Sequence, residues 1–191
     1  QIYPRPGWVE HNPLEIWSVT LKVIEQALKN AGLSSGDLAA VGIANQRETT
    51  TFWNRYTGEP AGNSVVWQDR RSLPIVENML AQDGSKIVER TGMVLIPNIA
   101  AAKIRWALDS QPGIRSGVEK GKLIYGTIDT WLIWKLSGGK VHVSDYSNTS
   151  VTSLLNARTL DYDPGVLELL EIPRVLLPEL RSSSEIYAYT D

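Results

Sequence analysis

Two kinds of hydrophobic spacing alternate along this 191-residue chain, and together they predict an α/β fold. The first is helical: after Asn12 and Pro13, which suit the N-cap and the first turn of a helix, apolar residues recur every three or four positions up to Gly32. These residues are Trp17, Leu21, Ile24 and Leu28. The spacing predicts an amphipathic helix over residues 13–31 whose apolar stripe packs against the protein core.

The second spacing is that of short, partly β-branched apolar runs, which are typical of strands. Residues 38–44 form the first run and residues 49–53 the second, and a third run ends at Trp67. Later segments predict more elements of both kinds: helices beginning at 72, 97, 130 and 163, and strands at 122–125, 141–143 and 153–156. We therefore expect a mixed sheet flanked by helices.

Polar residues follow two of these predicted strands. Residues 45–48 read Asn-Gln-Arg-Glu, and residues 68–71 follow Trp67. Side chains at strand ends of α/β sheets commonly bind ligands, and Arg47 and Glu48 offer the fixed donors and the acceptor that polyol hydroxyls need. The ring of Trp67 can cover the C–H side of such a ligand. From the residues alone, a solvated salt-linked turn for Arg47 and Glu48 and a core position for Trp67 remain open alternatives.

Composition narrows the possible partners and cofactors. The net charge of −2 and the pI of about 5.8 give no basic surface for nucleic acid. Cysteine is absent, which excludes disulfides and metal–thiolate sites, and neither His11 nor His142 has a second histidine at ligand spacing, so we predict no metal site. No apolar run is long enough for a membrane, and we expect a cytoplasmic protein without a membrane partner.

Five stretches of the chain resemble, in order, the first domain of the glycerol kinases, which are members of the FGGY carbohydrate kinase family. They are residues 1–11, 45–50, 65–68, 126–134 and 141–146. The resemblance implies an actin-like, ribonuclease-H-like fold that is incomplete at its N-terminus. Because the chain begins at Gln1 in sequence that resembles the interior of these kinases, we expect residues 1–191 to be a fragment, part of the N-terminal, substrate-binding domain, without the second, nucleotide-binding domain.

The resemblance also implies a function. It implies ATP-dependent phosphorylation of glycerol to glycerol 3-phosphate, with Arg47, Glu48 and Trp67 in contact with glycerol, in a protein expected to be a homo-oligomer. The family's phosphate loop would precede Gln1, and its general-base aspartate and adenosine site would follow Asp191. We therefore expect no catalytic residue in this chain, sites for ATP and Mg²⁺ mostly outside it, and no kinase activity from the segment alone.

One residue departs from the family pattern. The glycerol kinases usually carry a tyrosine after the proline that corresponds to Pro97, and this chain has Asn98. The neighbouring residues 100–102 are all alanine, which also suggests a roomier pocket. Two alternatives therefore stay open: a related FGGY kinase for a pentulose or a tetritol, and a noncatalytic polyol-binding domain.

Overall fold

The computed structural model describes residues 1–190 and has the expected α/β architecture. The helices are α1 (Pro13–Ala31), α2 (Leu73–Thr91), α3 (Ala100–Ser110), α4 (Pro112–Glu119), α5 (Ile128–Leu136), α6 (Tyr146–Ser150) and α7 (Pro164–Leu169), with 3₁₀ turns at Ser35–Asp37 and Arg174–Leu176. The strands are β1 (Glu10–His11), β2 (Thr51–Asn54), β3 (Ser64–Val65), β4 (Leu123–Gly126), β5 (Val143–Asp145), β6 (Leu155–Asn156), β7 (Asp161–Tyr162) and β8 (Glu179–Arg181).

The strands pair in both directions. β2 and β4 form an antiparallel ladder, β1 pairs antiparallel with β3, and β6 pairs antiparallel with β7, whereas β5 and β8 run parallel. An isolated antiparallel bridge between Thr50 and Val65 joins the start of β2 to β3. This bridge brings the residues before β2 close to those that follow β3.

Two apolar clusters lie on either side of the β2–β4 ladder, because successive side chains of a strand face opposite ways. Phe52 and Tyr125 belong to the larger cluster, together with the buried faces of α2 and α3. Trp53 belongs to the smaller cluster, where its ring meets that of Trp131 edge to face at 5.3 Å. The Nε1–H of Trp131 donates to the carbonyl oxygen of Pro13 at 3.1 Å, which anchors the start of α1.

Helix α1 has the predicted bounds but not the predicted burial. The Asn12 side chain accepts from the Leu14 amide at 2.9 Å, and Gly32 ends the helix in the left-handed conformation. Of the apolar stripe, however, Leu21 is 43% exposed and the other members are only partly buried. The prediction of a core-facing stripe is therefore wrong for much of this helix.

The predicted strand over residues 38–44 is also wrong. The segment is irregular and largely exposed, and Val41 is half exposed. Within residues 1–190 no strand pairs with it, and an apolar run forms a strand only where a neighbouring strand takes up its backbone hydrogen bonds.

Among the described helices, none has the length and apolar character needed to cross a membrane.

Candidate functional site

The Arg47-Glu48 turn immediately precedes the buried start of β2. Glu48 has a φ of +66°, a conformation that side-chain-bearing residues rarely adopt, and its side chain is buried while Arg47 is exposed. Backbone strain of this kind is concentrated at binding and catalytic sites. The two residues therefore do not form a simple solvated turn, because only one of them is in solvent.

Trp67 lies next to this turn. Thr50 and Val65 exchange both backbone hydrogen bonds at 2.9 Å, and the Trp67 amide donates to the Thr49 hydroxyl at 3.3 Å. The side chain of Trp67 is 44% exposed, so Trp67 is not a core residue. The structure thus brings together, around one strand end, the three residues that the sequence predicted as ligands of a polyol.

The Glu48 carboxylate contacts the beginning of α3. Its Oε2 accepts from the Ala100 amide at 2.6 Å, at a helix N-terminus where backbone N–H groups favour an anion. Burial raises the pKa of Glu48 to about 7, and the charge of Lys103, the Ala100 N–H and the charge of Arg47 act in the opposite direction. The carboxylate is therefore held in place, and its ionisation falls close to neutral pH.

Sequence reasoning missed Lys103, which is fully buried at the base of the same site. Its Nζ donates to the backbone carbonyl oxygen of Asn98 and lies 3.5 Å from that of Glu48. Burial lowers the pKa of Lys103 to about 8, opposed mainly by the charge of Glu48. A signal was present in the sequence, because Lys103 falls three or four positions from Ala100 and Ala107, on the apolar face of the predicted helix.

The residue that departs from the family pattern is part of this arrangement. Asn98 is partly buried, and its backbone carbonyl is the acceptor for Lys103. The side-chain Oδ1 of Asn98 is buried and has no hydrogen-bond partner within the described chain. A buried amide oxygen without a hydrogen-bond partner is energetically unfavourable.

The first half of the polar segment anchors the turn. Asn45 Nδ2 donates to Asp129 Oδ1 at 2.9 Å, and Gln46 Nε2 lies 3.0 Å from His11 Nδ1. Asp129 also accepts from Ser144 Oγ at 2.6 Å and from the Thr127 hydroxyl. Helix α5 begins at Ile128, two positions before the predicted start at residue 130, and Thr127 is its N-cap. Asp129 therefore lies in the first turn of α5 as the buried centre of a side-chain network.

Two features bear on whether the described residues could hold Mg²⁺ or a nucleotide phosphate. Across residues 1–190, no three His, Asp or Glu side chains lie close enough together to ligate a metal ion. The glycine-containing stretch after Gly117 lies at the end of α4 rather than in a phosphate-binding loop. The acidic and histidine side chains of residues 1–190 therefore do not fit a metal ion, and the stretch after Gly117 does not fit a nucleotide phosphate.

Comparison with known proteins decides the family. Residues 1–191 match the N-terminal domain of the FGGY family of carbohydrate kinases. The chain belongs to this family. It is 50% identical over 191 residues to glycerol kinase 2 of Thermotoga maritima and 52% identical over 192 residues to glycerol kinase of Borrelia duttonii. All of the chain is aligned in both cases, and it spans 38% and 39% of the length of these relatives.

Solved structures support the same assignment. The FGGY chain superimposes on Plasmodium falciparum glycerol kinase with ADP with a TM-score of 0.94 and 31% identity, over 100% of this chain and 38% of that one. Its likeness to xylulose kinase from Lactobacillus acidophilus, with a TM-score of 0.87 and 22% identity over 100% of this chain and 37% of that one, shows the shared fold. The expected family resemblance and fold class are confirmed.

Proposed function

We propose that the intact protein transfers a phosphoryl group from ATP to glycerol, giving glycerol 3-phosphate. The observation that carries this proposal is the buried Glu48 carboxylate beside the exposed Arg47 and the half-exposed Trp67. The chain that holds them is 50–52% identical to proteins named glycerol kinase. Arg47 donates to the polyol hydroxyls, Glu48 accepts from them, and Trp67 packs against the C–H side.

In this proposal the chain's own residues orient the substrate. Hydroxyls held by Arg47 and Glu48 leave the terminal hydroxyl free to attack the γ-phosphorus of ATP, with ADP as the leaving group and a general base taking the hydroxyl proton. We assign that base, the second, nucleotide-binding domain and the groups for ATP and Mg²⁺ to the further length that the relatives have. Residues 1–191 are then part of the N-terminal, substrate-binding domain, and alone they are inactive.

Replacing Arg47 with alanine tests the polyol assignment. Loss of the donor fork should raise the KM for glycerol at least about tenfold in the intact protein, because charge-assisted hydrogen bonds to a substrate are worth more than one factor of ten. The KM for ATP should stay within about twofold, since Arg47 contacts the polyol. Steady-state ADP release measures both constants, and an unchanged KM for glycerol would remove the assignment.

A related FGGY kinase for a tetritol or a pentulose is the second candidate. It is favoured by Asn98, whose side-chain oxygen is buried without a partner in residues 1–190 and can accept from an additional hydroxyl. The test is ADP release with glycerol, erythritol, D-xylulose and D-ribulose as acceptors. Preference for a longer acceptor supports this candidate, and binding without turnover of any of them supports a noncatalytic polyol-binding domain.

The proposed function also implies the binding partners, the cellular location and the oligomeric state of the intact protein. The protein binds a small polyol as its substrate, and it binds neither nucleic acid nor a membrane. The absence of cysteine suits a cytoplasmic location, where disulfides rarely contribute to stability. We also propose that the intact protein is a homo-oligomer, which sedimentation velocity of the purified protein would test.

A further inference from the structure

Lys103 has no function in the proposed polyol binding, yet burying its ammonium group is energetically unfavourable. The side chain is fully buried, in a helix whose other inward-facing residues are alanine, isoleucine and leucine. A buried ammonium group loses its hydration and persists in a core only where other groups compensate for that loss. A leucine or methionine would fill the same space without this loss, so filling the core does not explain the lysine.

The hydrogen-bond partners of Lys103 are specific. The Nζ donates to the backbone carbonyl of Asn98 and reaches that of Glu48 at 3.5 Å. One of these carbonyls belongs to the strained turn that carries Arg47 and Glu48, and the other belongs to the loop that leads into α3. Lys103 therefore joins two segments that lie 50 positions apart in the sequence and that both border the proposed site.

Helix α3 contacts Glu48 at two points. The Ala100 amide holds the Glu48 carboxylate at 2.6 Å, while Lys103, one turn later, lies against the carbonyl of the same residue. Two contacts from one rigid helix fix both the backbone and the side chain of Glu48, including its positive φ. Of the charged groups near Lys103, Glu48 and Asp69 attract the ammonium group, whereas Arg71 repels it.

We propose that Lys103 is a positioning residue of the polyol site, which holds the backbone of the Glu48 turn against that of Asn98 and so sets where the Glu48 carboxylate meets the substrate. The inference rests on the proposed function. The affinity for a polyol that is held by hydrogen bonds to its hydroxyls is sensitive to small displacements of the Glu48 carboxylate, whereas the nucleotide is bound elsewhere in the proposed function. Loss of Lys103 should consequently affect the polyol far more than ATP.

The test compares Lys103→Met with Ile104→Ala in the intact protein. Methionine keeps most of the volume of lysine and removes the charge and the donors, while Ile104 is the neighbouring, equally buried residue of α3. We expect Lys103→Met to raise the KM for glycerol about tenfold and to change the KM for ATP by less than about twofold. Ile104→Ala should lower the melting temperature at least as much and leave both KM values within about twofold.

A second measurement does not depend on activity. Hydrogen–deuterium exchange should increase at least about tenfold in Lys103→Met for peptides covering residues 45–52 and 97–102, relative to the C-terminal half of α3. Ile104→Ala should loosen the whole helix instead. An unchanged KM for glycerol in Lys103→Met, or exchange that rises evenly along α3, would overturn the positioning role.

The two proposals fail in different ways. If the unmodified protein does not phosphorylate glycerol, the proposed function fails, and the exchange comparison still decides whether Lys103 holds the turn. If the unmodified protein is active and Lys103→Met keeps its KM for glycerol, the positioning role is wrong and the proposed function stands.

Discussion

If Glu48 binds the polyol as proposed, its ionisation couples polyol binding to pH. Burial raises its pKa to about 7, so the carboxylate is only partly ionised at neutral pH. A carboxylate accepts hydrogen bonds from polyol hydroxyls with both oxygens, whereas a protonated carboxyl loses part of that capacity. The free energy of unfolding has the opposite pH dependence. Folding raises the pKa of Glu48, so the group stabilises the folded state at a pH below its unfolded pKa. This contribution is lost as the pH rises through the folded pKa.

We therefore expect the KM for glycerol to fall as the pH rises from about 6 to about 8 and to level off above that range. Glu48→Gln keeps an acceptor oxygen of the same reach and cannot ionise, so its KM should be higher and nearly independent of pH. Initial rates of ADP release at saturating ATP measure both profiles. A pH-independent KM in the unmodified protein would show that Glu48 does not ionise in this range or does not bind the polyol.

Residues of the site differ in how far the sequence could predict them. Arg47 and Glu48 lie shortly before β2 and Trp67 lies shortly after β3, and polar or aromatic residues beside a strand are a local signal. The other strand used in this prediction, over residues 38–44, does not form. Lys103 and the contact between Asn45 and Asp129 were not, since each joins segments that meet only after the chain has folded. Burial of a charge depends on those distant partners, and periodicity alone does not reveal it.

At the scale of elements, the arginine after β3 connects three parts of the fold. The Arg71 guanidinium lies 3.8 Å from the ring centroid of Trp8 and 4.9 Å from that of Trp106, which belong to the N-terminal segment and to α3. It also donates to both carboxylate oxygens of Asp69 at 2.8 and 2.9 Å and to Glu10 at 2.8 Å. The group is almost fully buried, so it ties β1 and α3 to the start of α2.

Arg71→Lys should destabilise the protein by about 3 kcal/mol, because an ammonium group cannot hold Asp69 through two parallel bonds and stack on two rings at once. Arg70→Lys is the matched control, since Arg70 is exposed and adjacent, and it should change the stability by less than about 0.5 kcal/mol. Urea denaturation followed by tryptophan fluorescence measures both. Equal stabilities of the two variants would mean that Arg71 does not connect these elements.

Local signals decided which elements the sequence predicted correctly. The bounds of α1 match, because Asn12, Pro13 and Gly32 specify its two ends without reference to the rest of the chain. The strand at 38–44 was wrong because strand formation needs a partner that local sequence does not show. The same limit applies to the burial of α1, since an amphipathic stripe predicts a face and not the surface that covers it.

At the scale of the whole molecule, exposed apolar side chains are concentrated near the N-terminal helix. Ile16 and Trp17 of α1 and Ile43 of the irregular segment all pack at the margin of the cluster around Trp53 and Trp131. Other apolar side chains of the same two segments are exposed: Leu14, Val19, Leu21, Val23, Leu38 and Val41. Exposed apolar side chains in this number favour association between protein molecules.

We expect the isolated 191-residue polypeptide to self-associate at micromolar concentration through these exposed apolar side chains. Val23→Lys should weaken the association, because it places a charge among the exposed apolar side chains of α1 at a position that is 60% exposed. Val175→Lys is the matched control: Val175 and Val23 are exposed to nearly the same extent, 59% and 60%, but Val175 lies in the C-terminal part of the chain, outside α1 and residues 38–44. Sedimentation velocity over a concentration series should show oligomers for the unmodified chain and for Val175→Lys and a larger monomer fraction for Val23→Lys. A monodisperse monomer that unfolds cooperatively would contradict the prediction, since it would mean that these apolar side chains do not drive association.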